Sequence, residues 1–491
     1  MTEQKKPPYG IIAILFTGAF VAIFNQTLLN IALPSIMTDL NIKDASTVQW
    51  LVTGYMLVNG ILIPASAFFI QRYSNRSIFI LAMSLFVLGT LFAGLAPTFG
   101  VLLGARMIQA AGAALMMPLL MNVMLAAFPV EKRGSAMGLF GLVMIVAPAI
   151  GPTLSGYIVE HYSWRVLFFI VLPIALIPLA LGIFKLKNLT AQNRNLSLDK
   201  ISLVFSSLGF GGILYGFSAA GHDGWSDPYV IGTIVVGVVS LVTFILRQLK
   251  LKEPLLEFRI YKYPMFALSS AISIVLSISM FSAMILMPIY VQTIKGISPF
   301  HSGLLMLPGA LVMGLMSPIT GKLFDKYGAK VLAITGMAIV TISTYFFSDL
   351  NTDTTFLHIM FLYTIRMLGI SMVMMPVMTN GLNTLPMKAY PHGTAMNNTL
   401  QQVSGAIGSA LLITVMNTRT TSTAEDLAKS GVNPAGIMKN SMMEGINYTF
   451  FVSTFIAGVA LLLTFFIKKP VRQVTGQEKE NVYKQVPTEE S

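Results

Sequence analysis

Two arginines, Arg106 and Arg366, lie inside long apolar runs, each followed by Met-Met-Pro, at 116–118 and 374–376. A guanidinium in hydrocarbon costs at least about 2.5–3.5 kcal/mol, so each must face a bundle interior or a wet cavity and find polar partners there. Around Arg106 the available partners are neutral amides: Gln109, one helical turn deeper, and Asn25, Gln26 and Asn30 in the first apolar run. An antiparallel first helix would bring Asn25 to the depth of Gln109. The spacing therefore predicts a cluster of Asn25, Asn30, Arg106 and Gln109 able to hold a hydrogen-bond network, to repel a proton, or to bind a solute. The same amides could equally act as interhelical glue. For Arg366 the candidates are Asn397, Asn398, Gln401 and Gln402 in the thirteenth run.

What the chain lacks narrows the chemistry further. Cysteine is absent, which removes disulfides, thiolate metal sites and cysteine nucleophiles. There is no Gly-x-x-x-x-Gly-Lys-Ser/Thr loop to cradle nucleotide phosphates. The apolar runs carry no Asp or Glu and no convergent nucleophiles or metal ligands, so no enzyme activity, cofactor or metal is expected. Most of the histidines, at 161, 222, 301, 358 and 392, read as loop residues. His358, at the start of the twelfth run, is the one considered as a titrating substitute for a carboxylate.

The elements that would position these groups are membrane-spanning helices. The 491 residues are 55% hydrophobic and only 11% charged, with mean hydropathy +0.73, too apolar for a soluble surface. About 20 apolar residues cross about 30 Å of hydrocarbon as a helix. Fourteen such runs occur, near 10–33, 47–70, 77–96, 101–126, 135–159, 166–184, 202–220, 229–246, 266–291, 302–320, 331–348, 356–378, 394–416 and 446–467. They are long and continuous, without the ten-residue alternation of barrel strands. The first is too long for a signal-peptide core and reads as a retained span.

Placing the N-terminus in the cytoplasm puts 24 of the 32 Lys and Arg on that side and 6 outside, which satisfies the positive-inside rule with both termini cytoplasmic. The net charge of +12 is thus a membrane-face signal and implies no nucleic-acid partner. Longer basic connections bracket the seventh and eighth runs. The division predicted is a six-helix bundle over 1–185, two extra helices with basic loops over 186–264, a second six-helix bundle over 265–467, and a charged tail over 468–491. Residues 417–447 read as an external loop, and a monomer is expected.

If the two bundles are duplicates, matching stretches should recur. Residues 63–76 align without gaps to 317–330, each with a proline, a basic residue, a tyrosine and a second basic residue. Arg106-Met107 and Arg366-Met367 occupy the fourth span of each half.

These residues resemble the major facilitator superfamily, and within it the fourteen-span drug:proton antiporters of the lincomycin-exporter-like branch. The motifs are Gly321-x-Leu323-x-Asp325-Lys326-x-Gly328-x-Lys330, Arg106-x-x-Gln109, Gly151-Pro152-x-x-Ser155-Gly156, Asn30-Ile31-Ala32-Leu33-Pro34 and Trp164-Arg165-x-x-Phe168. The resemblance implies an all-α membrane fold of two six-helix bundles plus two central helices. It also implies proton-coupled export of lipophilic small molecules by alternating access across a bacterial plasma membrane. The first loop motif is degraded, with Gln71 where the family usually has aspartate and Ser74 where it has glycine. Phe24-Asn25-Gln26-Thr27 likewise lacks the aspartate many relatives carry. Asp325, with Lys326 and Gly328 in its turn, is assigned a gating role by the resemblance, as a carboxylate capping a helix end and pairing with basic residues. Gly151, Pro152 and Gly156 are assigned close packing and a kink. Export of an endogenous lipid or metabolite, or a non-transporting sensor, are the alternatives.

Overall fold

A computed structural model describes residues 8–468 except 43–44, 130–131, 189–191, 193–197 and 430–433. The charged tail beyond 468 lies outside the described residues. Fourteen helices follow one another: α1 (Tyr9–Asp39), α2 (Ala45–Arg72), α3 (Asn75–Gly94), α4 (Phe99–Ala127), α5 (Arg133–His161), α6 (Arg165–Lys185), α7 (Lys200–Asp223), α8 (Pro228–Lys250), α9 (Pro264–Ile289), α10 (Pro299–Tyr327), α11 (Ala329–Phe346), α12 (Phe356–Leu382), α13 (Tyr390–Lys429) and α14 (Pro434–Thr464). Thirteen, all but α5, are apolar and long enough over their described residues to cross a membrane. Helix α5 has no charged residue from Gly134 to Val159. The chain is a multi-pass, all-helical membrane protein.

The helices begin where a short polar side chain can accept the otherwise unpaired first N–H groups. Ser74, Thr98, Asp199, Asp227, Ser298 and Thr355 cap α3, α4, α7, α8, α10 and α12 in this way. Gly328, at φ +82°, makes the sharp turn from α10 into α11, a conformation that side chains with a Cβ resist. Apolar residues cover the outside: on α8, Ile231, Val235, Val238, Val239, Val242 and Leu246 are exposed, as a lipid-facing helix requires.

Packing within the first six helices recurs eight helices later. The pairs α1/α4, α1/α5, α1/α6, α2/α4, α3/α4 and α3/α6 correspond to α9/α12, α9/α13, α9/α14, α10/α12, α11/α12 and α11/α14. Between the bundles, α5 meets α10 and α2 meets α13. The α7–α8 hairpin lies over the second of these seams, with α7 against both α2 and α13.

One expectation is corrected. The described residues of 417–447 are helical: α13 continues to Lys429 and α14 starts at Pro434, with 430–433 outside the described residues. Arg419 pairs with Glu444 at 3.0 Å and lies 5.2 Å from the Tyr448 ring centroid. Gly445 packs against the α13 backbone, where a Cβ would come within 2.7 Å of the Met416 carbonyl oxygen. Low apolarity concealed the helix, because its stability comes from pairing with its neighbour.

Candidate functional site

Both described chain ends lie at the same end of the bundle. The Tyr9 ring packs edge-on against Phe128, and the Lys468 carbonyl accepts from Asn380 Nδ2. Here the bundles are sealed together. The core of the first half runs on through Met375, Leu382, Leu385, Tyr390 and Met396 of the second.

Small residues let α5 and α10 meet backbone to backbone. A Cβ at Gly134 would come within 2.5 Å of the Gly321 carbonyl oxygen, and one at Gly321 within 2.3 Å of the Gly134 oxygen. A turn further along, a Cβ at Gly138 would lie 2.5 Å from the Ser317 oxygen.

Asp325, in the last turn of α10, caps the start of α5 across the seam. Its Oδ1 accepts from Gly134 N–H at 2.8 Å; its Oδ2 accepts from Ser135 N–H at 2.9 Å and the Ser135 hydroxyl at 2.6 Å. A carboxylate on first-turn N–H groups is also favoured by the helix dipole. The expected capping therefore reaches across to the other bundle. Among the described residues Asp325 forms no ion pair with a basic neighbour, and Lys326 instead lies 5.0 Å from the Tyr327 ring centroid.

Arg133, at the first position of α5, donates to the Phe128 carbonyl at 3.2 Å, to Asn383 Oδ1 at 3.1 Å and to the Tyr390 hydroxyl at 2.5 Å. At the other seam, Gln71 and His392 side-chain nitrogens are 2.9 Å apart, and His392 Nδ1 accepts from the Glu257 backbone N–H at 3.3 Å. His392 was expected in a loop but is buried in the first turn of α13. The missed signal is a second repeat: Arg133-Gly134-Ser135-Ala136-Met137 matches His392-Gly393-Thr394-Ala395-Met396.

Just inside the seal lies an inter-bundle cavity. It is lined by Met121 and Phe140 from the first half and by Ser273, Leu276, Ser277, Met280, Met374, Met375, Met378, Asn397, Asn398 and Gln401 from the second. Among the described residues its polar groups are hydroxyls and amides, with no charged side chain. Thioethers on unbranched chains adapt to varied apolar shapes.

The predicted arginine cluster is partly formed and sits elsewhere. Arg106 donates to Gln109 Oε1; Gln109 Nε2 donates to Thr90 Oγ1 at 2.7 Å, and that hydroxyl donates to the Phe86 carbonyl at 2.7 Å. The guanidinium lies 4.2 Å from the Tyr55 ring centroid. Asn25 is buried but its Nδ2 has no partner, so it does not join this chain. The Asn30 side chain lies outside the described residues, and Gln26 is half-buried. Arg366 does not meet the amides of α13: its Nε donates to Thr344 Oγ1 at 3.1 Å, and its Nη2 donates to the carbonyl of Ser279 and, at 3.2 Å, to its hydroxyl. The physical reason is placement: Arg366 turns inward between α9 and α11, while Asn397, Asn398 and Gln401 of α13 face the cavity. Among the described residues, Asn398 lines the cavity, whereas Asn25, Arg106, Arg366 and Gln402 do not. Asn398 Nδ2 donates back to the Thr394 carbonyl at 2.9 Å.

The Gly-Pro motif of α5 packs against α1. A Cβ at Gly151 would come within 2.2 Å of Thr27 Oγ1, and Ser155 donates to the Leu28 carbonyl at 2.6 Å. Gly156 has open space where its Cβ would be, so close packing is a property of Gly151 alone of the two glycines. The Pro152 side chain lies outside the described residues. Far from the seal, Asp39 at the end of α1 accepts from Arg165 at 2.6 Å and from Trp164 Nε1 at 3.1 Å. The hydrogen bond from Arg165 holds its carboxyl below the ordinary carboxylate range.

Residues 15–409 match the family model of the Major Facilitator Superfamily. The chain is 48% identical over 479 residues to the MFS-type transporter YcnB of Bacillus subtilis (strain 168), covering 97% of this chain and 99% of that one. It is 44% identical over 472 residues to the lincomycin resistance protein LmrB of the same organism, covering 95% and 97%. The solved structure of the proton:xylose symporter XylE superposes with a TM-score of 0.62 at 13% identity, covering 94% and 96%; this likeness concerns the fold.

Proposed function

The chain belongs to the major facilitator superfamily, and from that premise we propose that it exports lipophilic small molecules, including drugs, by proton-coupled alternating access. It does so as a monomer in a bacterial plasma membrane with both termini cytoplasmic. The bundles over 1–185 and 265–467 rock against each other, and 186–264 forms the hairpin insert between them. The resistance named for LmrB supports a drug cargo.

The observation that carries this reading is the pairing of a sealed end with an uncharged, methionine-rich cavity immediately behind it. In the proposed orientation the sealed end is cytoplasmic, so the cavity is closed off from the cytoplasm. A substrate held in the cavity by dispersion and a few amide hydrogen bonds would leave outward. Asp325 on the α5 N-terminus, with the Gly134, Gly138 and Gly321 contacts, stabilises that closure. Breaking the seal exposes the cavity to the cytoplasm and the inner leaflet, where lipophilic molecules partition.

Arg106 and Gln109 organise the first bundle next to the path and influence coupling through it; Arg366 does the same in the second. The test is uptake of labelled drugs into everted membrane vesicles carrying the protein. Accumulation driven by a pH gradient, inside acid, is expected. Accumulation equal to that of vesicles without the protein would reject the export reading.

A further inference from the structure

The half-gates are built from the same sequence pattern but differ in one chemical respect. At the α5–α10 seam the acceptor is the carboxylate of Asp325 and the first residue of the pattern is Arg133. At the α2–α13 seam the gapless repeat puts Gln71 in the place of Asp325 and His392 in the place of Arg133. We propose that His392 is the proton-binding site that couples transport to the gate: in its neutral form it ties α2, α13 and the α8–α9 connection together, and protonation releases them. The inference rests on the proton-coupled reading given above.

The geometry requires a neutral ring. The Glu257 backbone N–H can only donate, so Nδ1, 3.3 Å away, must carry a lone pair. On the other side of the ring, Nε2 lies 2.9 Å from Gln71 Nε2, which also donates to the Ala67 carbonyl at 3.2 Å, so both ring nitrogens face N–H donors and neither meets an acceptor for a second proton. Adding a proton at Nδ1 sets two N–H groups against each other and places a cation in a buried site. The three-way junction loses its bond to the connection between α8 and α9.

Among the described residues no neighbouring charge pairs with that cation. On α2, Arg72 lies 5.9 Å and 5.8 Å from the ring centroids of Phe68 and Tyr73. Arg133 is held by Asn383 and Tyr390. In the connection, the Glu257 carboxylate accepts from the Arg259 backbone N–H and guanidinium at 3.0 Å and 3.3 Å, while Tyr261, Lys262 and Tyr263 make no hydrogen bond to the ring among the described contacts. Beside α7, Asp199 is paired with Arg247. Lys388 is exposed on the turn before α13. His392 is thus a junction in which one proton changes the sign of a contact, at the cytoplasmic seal of the proposed cycle. The direction suits antiport: a proton bound in the outward-facing state favours opening inward, and its loss to the cytoplasm allows resealing around cargo.

The experiment uses His392→Gln, which keeps an amide able to bond but cannot titrate. In everted vesicles the expected result is at least a tenfold loss of drug accumulation driven by the pH gradient, with drug–drug exchange at equal pH kept within about twofold. The chain has no native cysteine, so a Tyr73→Cys/Lys388→Cys pair can carry spin labels across the seal. Acidification from pH 8 to 5.5 should lengthen that distance in the parent and leave it fixed in the His392→Gln background. Unchanged gradient-driven transport and an unchanged pH response in His392→Gln would overturn the assignment. Loss of exchange as well, with normal membrane abundance and the pH response intact, would also overturn it, by making His392 structural. A parent protein that exports but ignores the pH gradient would instead reject proton coupling itself, and this assignment with it.

Discussion

Gly138 on α5 and Ser317 on α10 hold their helices in backbone contact: the Ser317 hydroxyl donates to the Gly138 carbonyl at 2.8 Å, with no room for a side chain between them. Replacing Gly138 by alanine would place a methyl group 2.5 Å from the Ser317 carbonyl oxygen and 3.0 Å from the Pro318 Cα. Backbone atoms cannot rotate away as a side-chain tip can, so the seam must part. Gly138→Ala should reduce export at least severalfold at normal membrane abundance. It should also raise labelling of a cysteine introduced into the cavity, such as Ser277→Cys, from the cytoplasmic side. Labelling equal to that of Ser277→Cys alone would show that the seam is not the closure.

Asp325→Asn should weaken the opposite end of the same contact. Asparagine retains one acceptor oxygen but turns an NH2 toward groups that are themselves donors, and it removes the charge that faces the helix dipole. Charged hydrogen bonds contribute about 1.5–3 kcal/mol each, so a loss of roughly tenfold in export is expected, measured as resistance and as vesicle uptake at matched abundance. Wild-type export would remove Asp325 from the gate.

Arg106 should prove as important to the first bundle's integrity as to coupling. Its guanidinium stacks on Tyr55 while bonding Gln109, a combination that a point charge cannot reproduce. Arg106→Lys should therefore lower the unfolding temperature of the purified protein and recover only part of the export lost in Arg106→Ala. An unfolding temperature and transport rate equal to wild type in Arg106→Lys would contradict this.

The pair at the base of the α7–α8 hairpin gives a pH prediction with a definite sign. The Arg247 hydrogen bond holds the Asp199 carboxyl down at about 2, against an ordinary 3.8. A depressed carboxylate stabilises the folded form above its ordinary value and loses that contribution as pH falls through the depressed one. Hydrogen exchange of α7 and α8 should then be insensitive to this pair from pH 8 to 5 and rise only on acidification toward pH 2, after correction for intrinsic rates. Asp199→Asn should show the faster exchange already at pH 7.

Much of the fold was legible because membrane helices announce themselves by length and apolarity, and the repeat around residues 63–76 and 317–330 exposed the duplication. Asp325 was found for the same reason, since its motif is local in sequence. Its partner was not, because the α5 N-terminus lies in the other half of the chain. Arg366 and Asn25 show the limit from another side: depth along a span can be read from sequence, but the facing direction of a side chain depends on helix rotation. His392 was hidden by a short polar connection that resembles any loop until the matching pattern at Arg133 is set beside it. The α13–α14 extension was missed because helices supported by each other need not be hydrophobic throughout.

The central claim is that the closed end and the cavity behind it form one half of an export cycle. Respiration-driven accumulation of radiolabelled lincomycin and other lipophilic drugs in everted vesicles tests it most directly. Accumulation of at least one of these compounds above control vesicles, abolished by a protonophore and reduced at least severalfold by Gly138→Ala, is the predicted result. Vesicles with abundant, folded protein that accumulate none of them beyond the control level would contradict it.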